Sequence, residues 1–232
     1  MSPASGRVVS VIIPVLQEEE ALPRVLDHIA ALPGEFEVVV SDGGSTDATC
    51  EIAEAHAVGA TVVHAERGRG RQLNAGAAQA RGDILLFLHA DTRLPRNAYA
   101  ALVRAVERGA SGGNFDLMFD GGGVFAAFLG GIYRAQRYAR VFYGDSAIWS
   151  TRATFDRIGG YYDIPVMEDF EFAKALFRTK RLVRLPGPAV TSSRRWRKAG
   201  IGRTLATWIA IRYLYLLGVS PDRLVKLYRV VR

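Results

Sequence analysis

Three groups of polar side chains in this sequence have the types and positions that chemistry on a bound ligand requires. His89 and Asp91 come directly after a run of apolar residues, and Asp42 comes directly after another. Glu168 and Asp169 stand at the start of a helical pattern, where the helix dipole stabilises a carboxylate as the anion. An ionised carboxylate there is available as a proton acceptor at neutral pH. Each group also has an interpretation without a site, as ordinary capping, turn or helix-start chemistry.

The strand that carries His89 and Asp91 is predicted from residues 84–88, five apolar residues without a break. A run this short, bounded by polar turns, is typical of a central strand buried on both faces. In open parallel sheets the ligand lies outside the carboxyl ends of the strands, which places both side chains at the mouth of a site. Equally, Asp91 is well placed to cap the helix that begins at Pro95.

Strands and helices alternate along the first half of the chain, and this order predicts the fold class. The predicted strands are short apolar or alternating runs at residues 8–15, 36–40, 61–64, 84–88, 114–119, 148–149 and 182–190. Single helical patterns separate the first four, which is typical of a doubly wound, mostly parallel α/β sheet with right-handed crossovers. We therefore predict a Rossmann-like sheet with a less regular second half, including a helix over residues 126–140, and helices at the C-terminal end.

The loop after the second predicted strand has the composition of a nucleotide-binding turn. Asp42 ends the strand, and small residues follow before the next helix, which Ser45 or Thr46 is predicted to cap. The carboxylate can accept a hydrogen bond from a base or ribose, and the backbone amides behind it can face anionic groups. The same sequence is also a common turn, so the loop alone does not identify a ligand.

Composition and charge narrow the class of protein. The single cysteine, Cys50, rules out an internal disulfide framework and is taken to exclude any Cys-based zinc site, and it fits a reducing compartment such as the cytoplasm. Residues 1–177 contain 16 Lys and Arg against 22 Asp and Glu, whereas residues 178–232 contain 14 against one. We expect a basic C-terminal face that meets phosphates or an anionic membrane surface. The acidic first three quarters of the chain argue against a nucleic-acid partner.

A basic and aromatic cluster lies in the C-terminal quarter. Arg195 offers a planar guanidinium suited to bidentate recognition of a diphosphate, and Trp196 can stack on a ring or close a site. The sequence has no Gly-Lys-Ser or Gly-Lys-Thr, which excludes a P-loop as the phosphate site.

Taken in order, these motifs resemble the family 2 inverting glycosyltransferases of the GT-A fold, from residue 8 to about residue 198. Residues 11–19 resemble the family's first strand and its Pro-x-x-Asn-Glu sequence, and residues 42–47 its nucleotide loop. Residues 89–91 occupy the position of its Asp-x-Asp motif, and residues 168–169 that of its Glu-Asp motif. Residues 194–196 resemble the Arg-Trp element that follows. The chain is most similar to compact bacterial members with a Leu-His-Ala-Asp-Thr sequence.

The resemblance implies transfer of a sugar from a nucleotide diphosphate sugar, UDP- or GDP-linked, to an acceptor hydroxyl. Asp169 would be the general base, and Asp91 would bind a divalent cation, Mn²⁺ or Mg²⁺, on the diphosphate. The residues implied to bind the donor are Pro14, Val15, Glu18, Asp42, Arg71, Ala90, Asp91 and Arg195. Those implied on the acceptor side are Asp145, Gly160, Glu168 and Trp196.

Two departures from the family pattern affect these assignments. His89 stands where the first Asp of the Asp-x-Asp motif is usual; an imidazole ligand would favour Mn²⁺ over Mg²⁺, but that position can instead address the ribose. We therefore assign the metal to Asp91 alone. Gln17 replaces the usual Asn.

We predict a single catalytic domain over residues 1–200, with a nucleotide-sugar-binding half (1–110) and an acceptor half (111–200), followed by a basic, apolar helical tail (201–232). Arg212 interrupts the apolar segment 201–219, so a membrane crossing is not expected. The tail would either pack on the core or a second subunit, or lie in the plane of a membrane surface, which suits a lipid-linked acceptor and a peripheral location. A nucleotidyltransferase of related fold and a non-catalytic nucleotide-sugar-binding protein are the alternatives.

Overall fold

The computed structural model describes residues 6–121, 143–193 and 200–228, with residues 126, 128, 130, 131, 133 and 134 between the first two ranges. The strands are β1 (Val9–Val15), β2 (Phe36–Asp42), β3 (Thr61–His64), β4 (Ile84–Phe87), β5 (Thr92–Arg93), β6 (Gly112–Phe119), β7 (Ile148–Thr151) and β8 (Leu182–Thr191). The helices are α1 (Leu22–Ala30), α2 (Thr49–Ala55), α3 (Arg69–Gln79), α4 (Ala98–Glu107), α5 (Arg152–Ile158), α6 (Glu168–Phe177), α7 (Ile201–Leu216) and α8 (Pro221–Tyr228), with a 3₁₀ turn at Gly144–Ser146.

The strands form one mixed sheet in the order β3-β2-β1-β4-β7-β6-β8-β5. The first four neighbours are parallel, as predicted from the strand and helix alternation. The second half is not uniformly parallel, because β7 enters antiparallel between β4 and β6 and β5 pairs antiparallel with β8. The helix predicted over residues 126–140 lies largely outside the described residues; those described between 126 and 134 are helical.

The core lies on both faces of the sheet, as a doubly wound arrangement requires. In β1, Val11 and Ile13 belong to the cluster under α1 and α4, whereas Ile12 between them belongs to the cluster under α3 and α6. All three side chains are fully buried. Burying one such side chain stabilises the fold by about 1.5–3 kcal/mol relative to leaving it exposed. This packing fixes the carboxyl ends of β1 and β4, from which the site residues project.

The last two helices form a hairpin, α7–α8, that packs against the segment before α6. Ile211 of α7 and Leu224 of α8 are buried in one cluster with Val166 and Met167. Arg212, in the middle of α7, donates a hydrogen bond of 3.0 Å to the Tyr143 hydroxyl. No helix among the described residues combines the length and apolar composition needed to cross a bilayer.

The predicted cap of α2 is wrong. The helix begins at Thr49, its N-cap is Ala48, and no side chain caps it. The hydroxyls of Ser45 and Thr46 are instead bound to Gln17, 3.0 Å from its backbone nitrogen and 2.8 Å from its side-chain nitrogen. The two hydroxyls therefore connect the loop after β2 to the loop after β1.

Candidate active site

A cleft of about 1440 Å³ opens at the carboxyl ends of β1 and β4 and is bounded by the start of α6 and by the α7–α8 hairpin. Many of the predicted site residues line it, namely Pro14, Val15, Glu18, Arg71, Ala90, Asp91, Glu168 and Asp169. Asp42, Asp145 and Gly160 do not line the cleft, although Asp42 pairs in register with Val15, which does. Arg195 and Trp196 lie outside the described residues. The structure therefore brings Asp91 and Asp169 to one cavity.

Gln17, at the position where the sequence departs from the family pattern, ties the loop after β1 to the loop after β2. Its side-chain oxygen accepts hydrogen bonds of 3.1 Å from the backbone nitrogens of Thr46 and Asp47. The Gln17 backbone nitrogen donates to Ser45 Oγ, and its own φ is +57°, a left-handed conformation that few residues adopt. Gln17 therefore positions one rim of the cleft.

Asp42 is buried under its own loop, with only 2% of its side chain exposed. Its carboxylate accepts hydrogen bonds of 3.0 Å from the backbone nitrogens of Gly44 and Ser45. Burial alone would raise the pKa of Asp42, but hydrogen bonds from Ser45 and Gly44 outweigh it, and the pKa is lowered. Asp42 is therefore an anion that organises the loop.

Gln72 is a supporting residue that the sequence analysis missed. It is buried in α3, and its side-chain nitrogen donates to the backbone oxygens of Val15 (2.7 Å) and Ser41 (2.9 Å). These two carbonyls belong to the ends of β1 and β2. Because the partners lie 57 and 31 residues away, no local sequence pattern marks this contact.

His89, which lines the cleft, forms a pair with Asp145. His89 Nδ1 lies 2.9 Å from Asp145 Oδ1, and both side chains are mostly buried. Gly144 lies against the other side of the ring, where an added Cβ would come within 2.9 Å of His89 Nε2. The ring is therefore held between Asp145 and Gly144.

Asp169 is held in place by two backbone amides. Gly144 nitrogen donates to Asp169 Oδ2 at 2.8 Å, and Phe170 nitrogen donates to Oδ1 at 2.7 Å. Burial, and then the neighbouring charge of Glu168, raise the pKa of Asp169 to about 6, against the lowering effect of Arg69. A carboxylate with this pKa is ionised at neutral pH yet more basic than an ordinary aspartate, which suits proton acceptance from a hydroxyl.

Arg69 connects the start of α6 to the end of α8. Its guanidinium donates to Glu168 Oε1 at 2.9 Å and to the Tyr228 hydroxyl at 3.4 Å. Glu168 is 3% exposed, so this is a buried ion pair, and removing either partner would leave an uncompensated charge. Arg71, two residues further along α3, was predicted from the sequence, whereas Arg69 was not.

Two other predicted residues are engaged with protein groups. Arg71 lines the cleft, but its guanidinium binds Glu66 at 2.5 Å and Asp163 at 2.7 Å. Gly160 has a φ of +72° and lies where an added Cβ would come within 2.6 Å of Asn74 Oδ1. Gly160 therefore allows a close approach between the turn after α5 and α3.

Asp91 fits a divalent cation that is shared with a bound ligand. Its side chain lines the cleft, but within the described residues it joins no group of three or more convergent His, Cys, Asp or Glu ligand atoms. A single carboxylate completed by phosphate oxygens and water is a usual mode for Mg²⁺. The residues present therefore suit a cation held between Asp91 and phosphates.

Comparison with known proteins gives a family match over most of the chain. The sequence model described as Glycosyl transferase family 2 matches residues 10–158. The undecaprenyl-phosphate 4-deoxy-4-formamido-L-arabinose transferase of Pseudomonas fluorescens is 35% identical over 119 residues, covering 47% of this chain and 35% of that protein. An uncharacterized glycosyltransferase of Mycobacterium tuberculosis is 37% identical over 107 residues, 46% of this chain and 47% of that one. The chain thus spans between a third and half of these relatives.

Solved structures share the fold at low sequence identity. Residues 1–349 of TarS from S. aureus superpose with a TM-score of 0.66 at 19% identity, over 85% of this chain and 64% of that one. Glucosyl-3-phosphoglycerate synthase from Mycobacterium tuberculosis, in complex with Mn²⁺, UDP and glucosyl-3-phosphoglycerate, superposes with a TM-score of 0.59 at 24% identity, over 80% and 72% of the chains. At these identities the likeness shows the fold alone.

Proposed function

Because the chain belongs to glycosyl transferase family 2 and has the predicted GT-A fold, we propose that it is an inverting glycosyltransferase. It moves a sugar from a nucleotide diphosphate sugar to an acceptor hydroxyl. The observation that carries the proposal is the shared cleft, in which Asp91 and the basic carboxylate of Asp169 lie together with Pro14 and Val15 at the end of β1.

In the proposed reaction Asp169 accepts the proton of the acceptor hydroxyl while that oxygen attacks the anomeric carbon. The two amides on Asp169 fix the direction of its carboxylate, so the remaining lone pairs face the acceptor. A divalent cation on Asp91 supplies positive charge that offsets the negative charge on the departing nucleoside diphosphate. The charge of Glu168, which is paired with Arg69, helps to raise the pKa of Asp169 and so makes its carboxylate more basic.

We assign the nucleoside to the end of β1 and the loop after β2, with Pro14, Val15, Glu18 and Asp42. Since Asp42 is covered by residues 43–45, direct contact with the base or ribose requires that short loop to move. TarS has been crystallised with UDP-GlcNAc, and the mycobacterial synthase with Mn²⁺ and UDP, which supports a UDP-sugar donor here. Ala90 and Arg71 would lie along the diphosphate, as would Arg195.

A lipid-linked acceptor at a membrane surface is the second part of the proposal. The Pseudomonas relative is named for an undecaprenyl-phosphate acceptor. The outer face of α7 and its C-cap expose Ile209, Tyr213, Leu216 and Leu217 to 48–81%, next to the most basic quarter of the sequence. Apolar and aromatic side chains beside cationic ones favour binding at an anionic bilayer surface. The acceptor would then meet Asp145, Gly160, Glu168 and Trp196.

Donor hydrolysis tests the proposed reaction without knowledge of the acceptor. The protein is incubated with UDP- and GDP-sugars and Mn²⁺, and release of nucleoside diphosphate is measured for the wild type, Asp169→Asn and Asp91→Ala. We expect slow hydrolysis of a UDP-sugar, loss of at least about a hundredfold in Asp169→Asn with donor affinity retained, and weaker donor binding in Asp91→Ala. Full turnover by Asp169→Asn would refute the base, and donor binding without any turnover would indicate a non-catalytic binding protein.

A further inference from the structure

Three side chains with metal-ligating atoms converge beside the cleft, at the carboxyl end of β2. Asp42 ends β2, His64 ends the neighbouring β3 directly opposite in register, and Cys50 lies on α2 between them in sequence. One ligand atom from each lies within 4.8 Å of the other two. From this convergence we propose that Asp42, Cys50 and His64 form a binding site for a thiophilic divalent cation of the Zn²⁺ type.

The distances are close to those that a zinc centre needs. Tetrahedral bonds of about 2.0–2.3 Å separate the ligand atoms from one another by about 3.3–3.6 Å. His64 Nδ1 already lies 3.6 Å from Asp42 Oδ2. The remaining separations are at most 4.8 Å, so they must shorten by up to about 1.5 Å. The His64 side chain, 74% exposed, can supply the movement on its side of the site.

The Asp42 carboxylate is preorganised as a ligand. The backbone nitrogens of Gly44 and Ser45 donate to it and fix its orientation, which is the role of outer-sphere hydrogen bonds in metal sites. A carboxylate has about four lone-pair positions, so it can accept these bonds and still ligate an ion. The ion would enter from the side of the exposed His64.

The chemistry of the three atoms selects the cation. One sulfur, one imidazole nitrogen and one carboxylate oxygen are a Zn²⁺ set, with water completing four-coordination, whereas Mg²⁺ prefers oxygen alone. The single cysteine led us to expect no Cys-based zinc site from the sequence. The proposed site departs from that expectation, because a mixed set needs only one cysteine and a register that brings β2 and β3 together.

Without a cation the thiol of Cys50 is inert. Burial and the charge of Asp42 raise the pKa of Cys50 to about 11, so the thiol is protonated at neutral pH. A protonated, partly buried thiol is a poor nucleophile, which disfavours oxidation or alkylation as its role. A cation bound by Asp42 and His64 would deprotonate the thiol on ligation, which gives Cys50 a chemistry that the free thiol lacks.

The site would regulate donor binding, a consequence that rests on the proposed function. An ion held by Asp42 and His64 would fix the loop of residues 43–45 in its closed position. The nucleoside could then no longer reach Asp42. We expect Zn²⁺ to raise the Kd for UDP by about tenfold or more, within the usual range of coupling between two sites.

Cobalt absorption spectroscopy tests the site directly. The full chain is titrated with Co²⁺, which shows a sulfur-to-cobalt charge-transfer band only when a thiolate ligates it. We expect the band in the wild type, its displacement by Zn²⁺, its loss in Cys50→Ser, and an affinity at least about tenfold weaker in His64→Gln. His56→Gln, a histidine outside the cluster, is the matched control and should keep the band.

Absence of the band, or its persistence in Cys50→Ser, would overturn the site. An oxygen-ligated ion at Asp91 gives no sulfur band, so donor hydrolysis with Mn²⁺ would still report on the proposed function separately. Zn²⁺ that binds at Cys50 but leaves the Kd for UDP unchanged would overturn the regulation and the placement of the nucleoside at Asp42. Thermal unfolding of each variant identifies any loss of signal that comes from misfolding.

Discussion

The pH dependence of turnover follows directly from the surroundings of Asp169. Its pKa of about 6 means that the carboxylate is ionised in about nine molecules of ten near pH 7 and in about one of ten near pH 5. An aspartate with an ordinary pKa would be almost fully ionised at both. We therefore expect kcat/KM for donor turnover to fall about tenfold between about pH 7 and pH 5, with a single acid limb.

Changing Glu168 to glutamine tests the cause of this shift. The charge of Glu168 raises the pKa of Asp169, and Arg69 lowers it. Glu168→Gln removes the first effect and leaves the second, so the acid limb should move to lower pH and the fall near pH 5 should shrink. Glu171→Gln is the matched control on the same helix; Glu171 pairs with Lys174, and the limb should stay in place.

The assay is release of UDP over a pH series at constant ionic strength, with unfolding temperature measured at each pH. A raised pKa in the folded chain has the opposite stability effect from that of most carboxylates. Between pH 4 and 6 the folded state binds more protons than the unfolded one, so this group's contribution to stability decreases as pH rises. A flat profile between pH 5 and 7, or a limb that ignores Glu168→Gln, would refute the assignment of Asp169.

Three further perturbations have defined outcomes. Gly144→Ala places a methyl group 2.9 Å from His89 Nε2. We expect thermal unfolding to show a destabilisation of about 1–3 kcal/mol, and turnover to fall by up to about a hundredfold. Wild-type stability and turnover would contradict the close packing. Gln17→Ala removes the side-chain hydrogen bonds between the two loops and should lower the free energy of unfolding by about 1–3 kcal/mol. Calorimetry should also show weaker binding of UDP. An unchanged Kd would mean that the nucleoside does not bind at that rim. Leu217→Ser should reduce sedimentation of the protein with anionic vesicles and leave donor hydrolysis unchanged. Met118→Ser, which changes another exposed apolar residue, is the control and should bind vesicles as the wild type does. Equal vesicle binding by Leu217→Ser and the wild type would show that the α7 face does not contact the membrane.

The parallel half of the fold could be predicted from the sequence because its strands are short runs of mostly apolar residues with breakers on both sides. β3 was predicted with its observed bounds, and β1 and β8 to within one residue at each end. The antiparallel insertion of β7 could not be predicted, since a strand of four residues, Ile148–Thr151, fits between any two strands. Their direction depends on pairings with β4 and β6 that lie more than 30 residues away.

The site residues that belong to contiguous sequence motifs were predicted, and those held by contacts between distant parts of the chain were missed. Asp91 and Asp169 were found from strand and helix ends, but Gln72 and Arg69 were not, because their partners lie between 31 and 159 residues away in sequence. From the sequence, Gln17 was identified only as a departure from the Asn of the family pattern. In the structure its side chain is long enough to accept hydrogen bonds from the loop after β2. The domain boundary near residue 200 stays a prediction.

The α7–α8 hairpin has one side on the cleft and another on the outside of the molecule. Trp208 and Tyr228 line the cavity, while Ile209 and Tyr213 point away from the protein. α7 has 16 residues, a rod of about 24 Å, and tilting such a rod by about five degrees displaces its end by about 2 Å. A shift of that size in a wall of the reaction chamber is enough to alter a rate by about two orders of magnitude. A surface or partner that binds the exterior of this hairpin would therefore change the shape of the cleft and, with it, the rate of any reaction there.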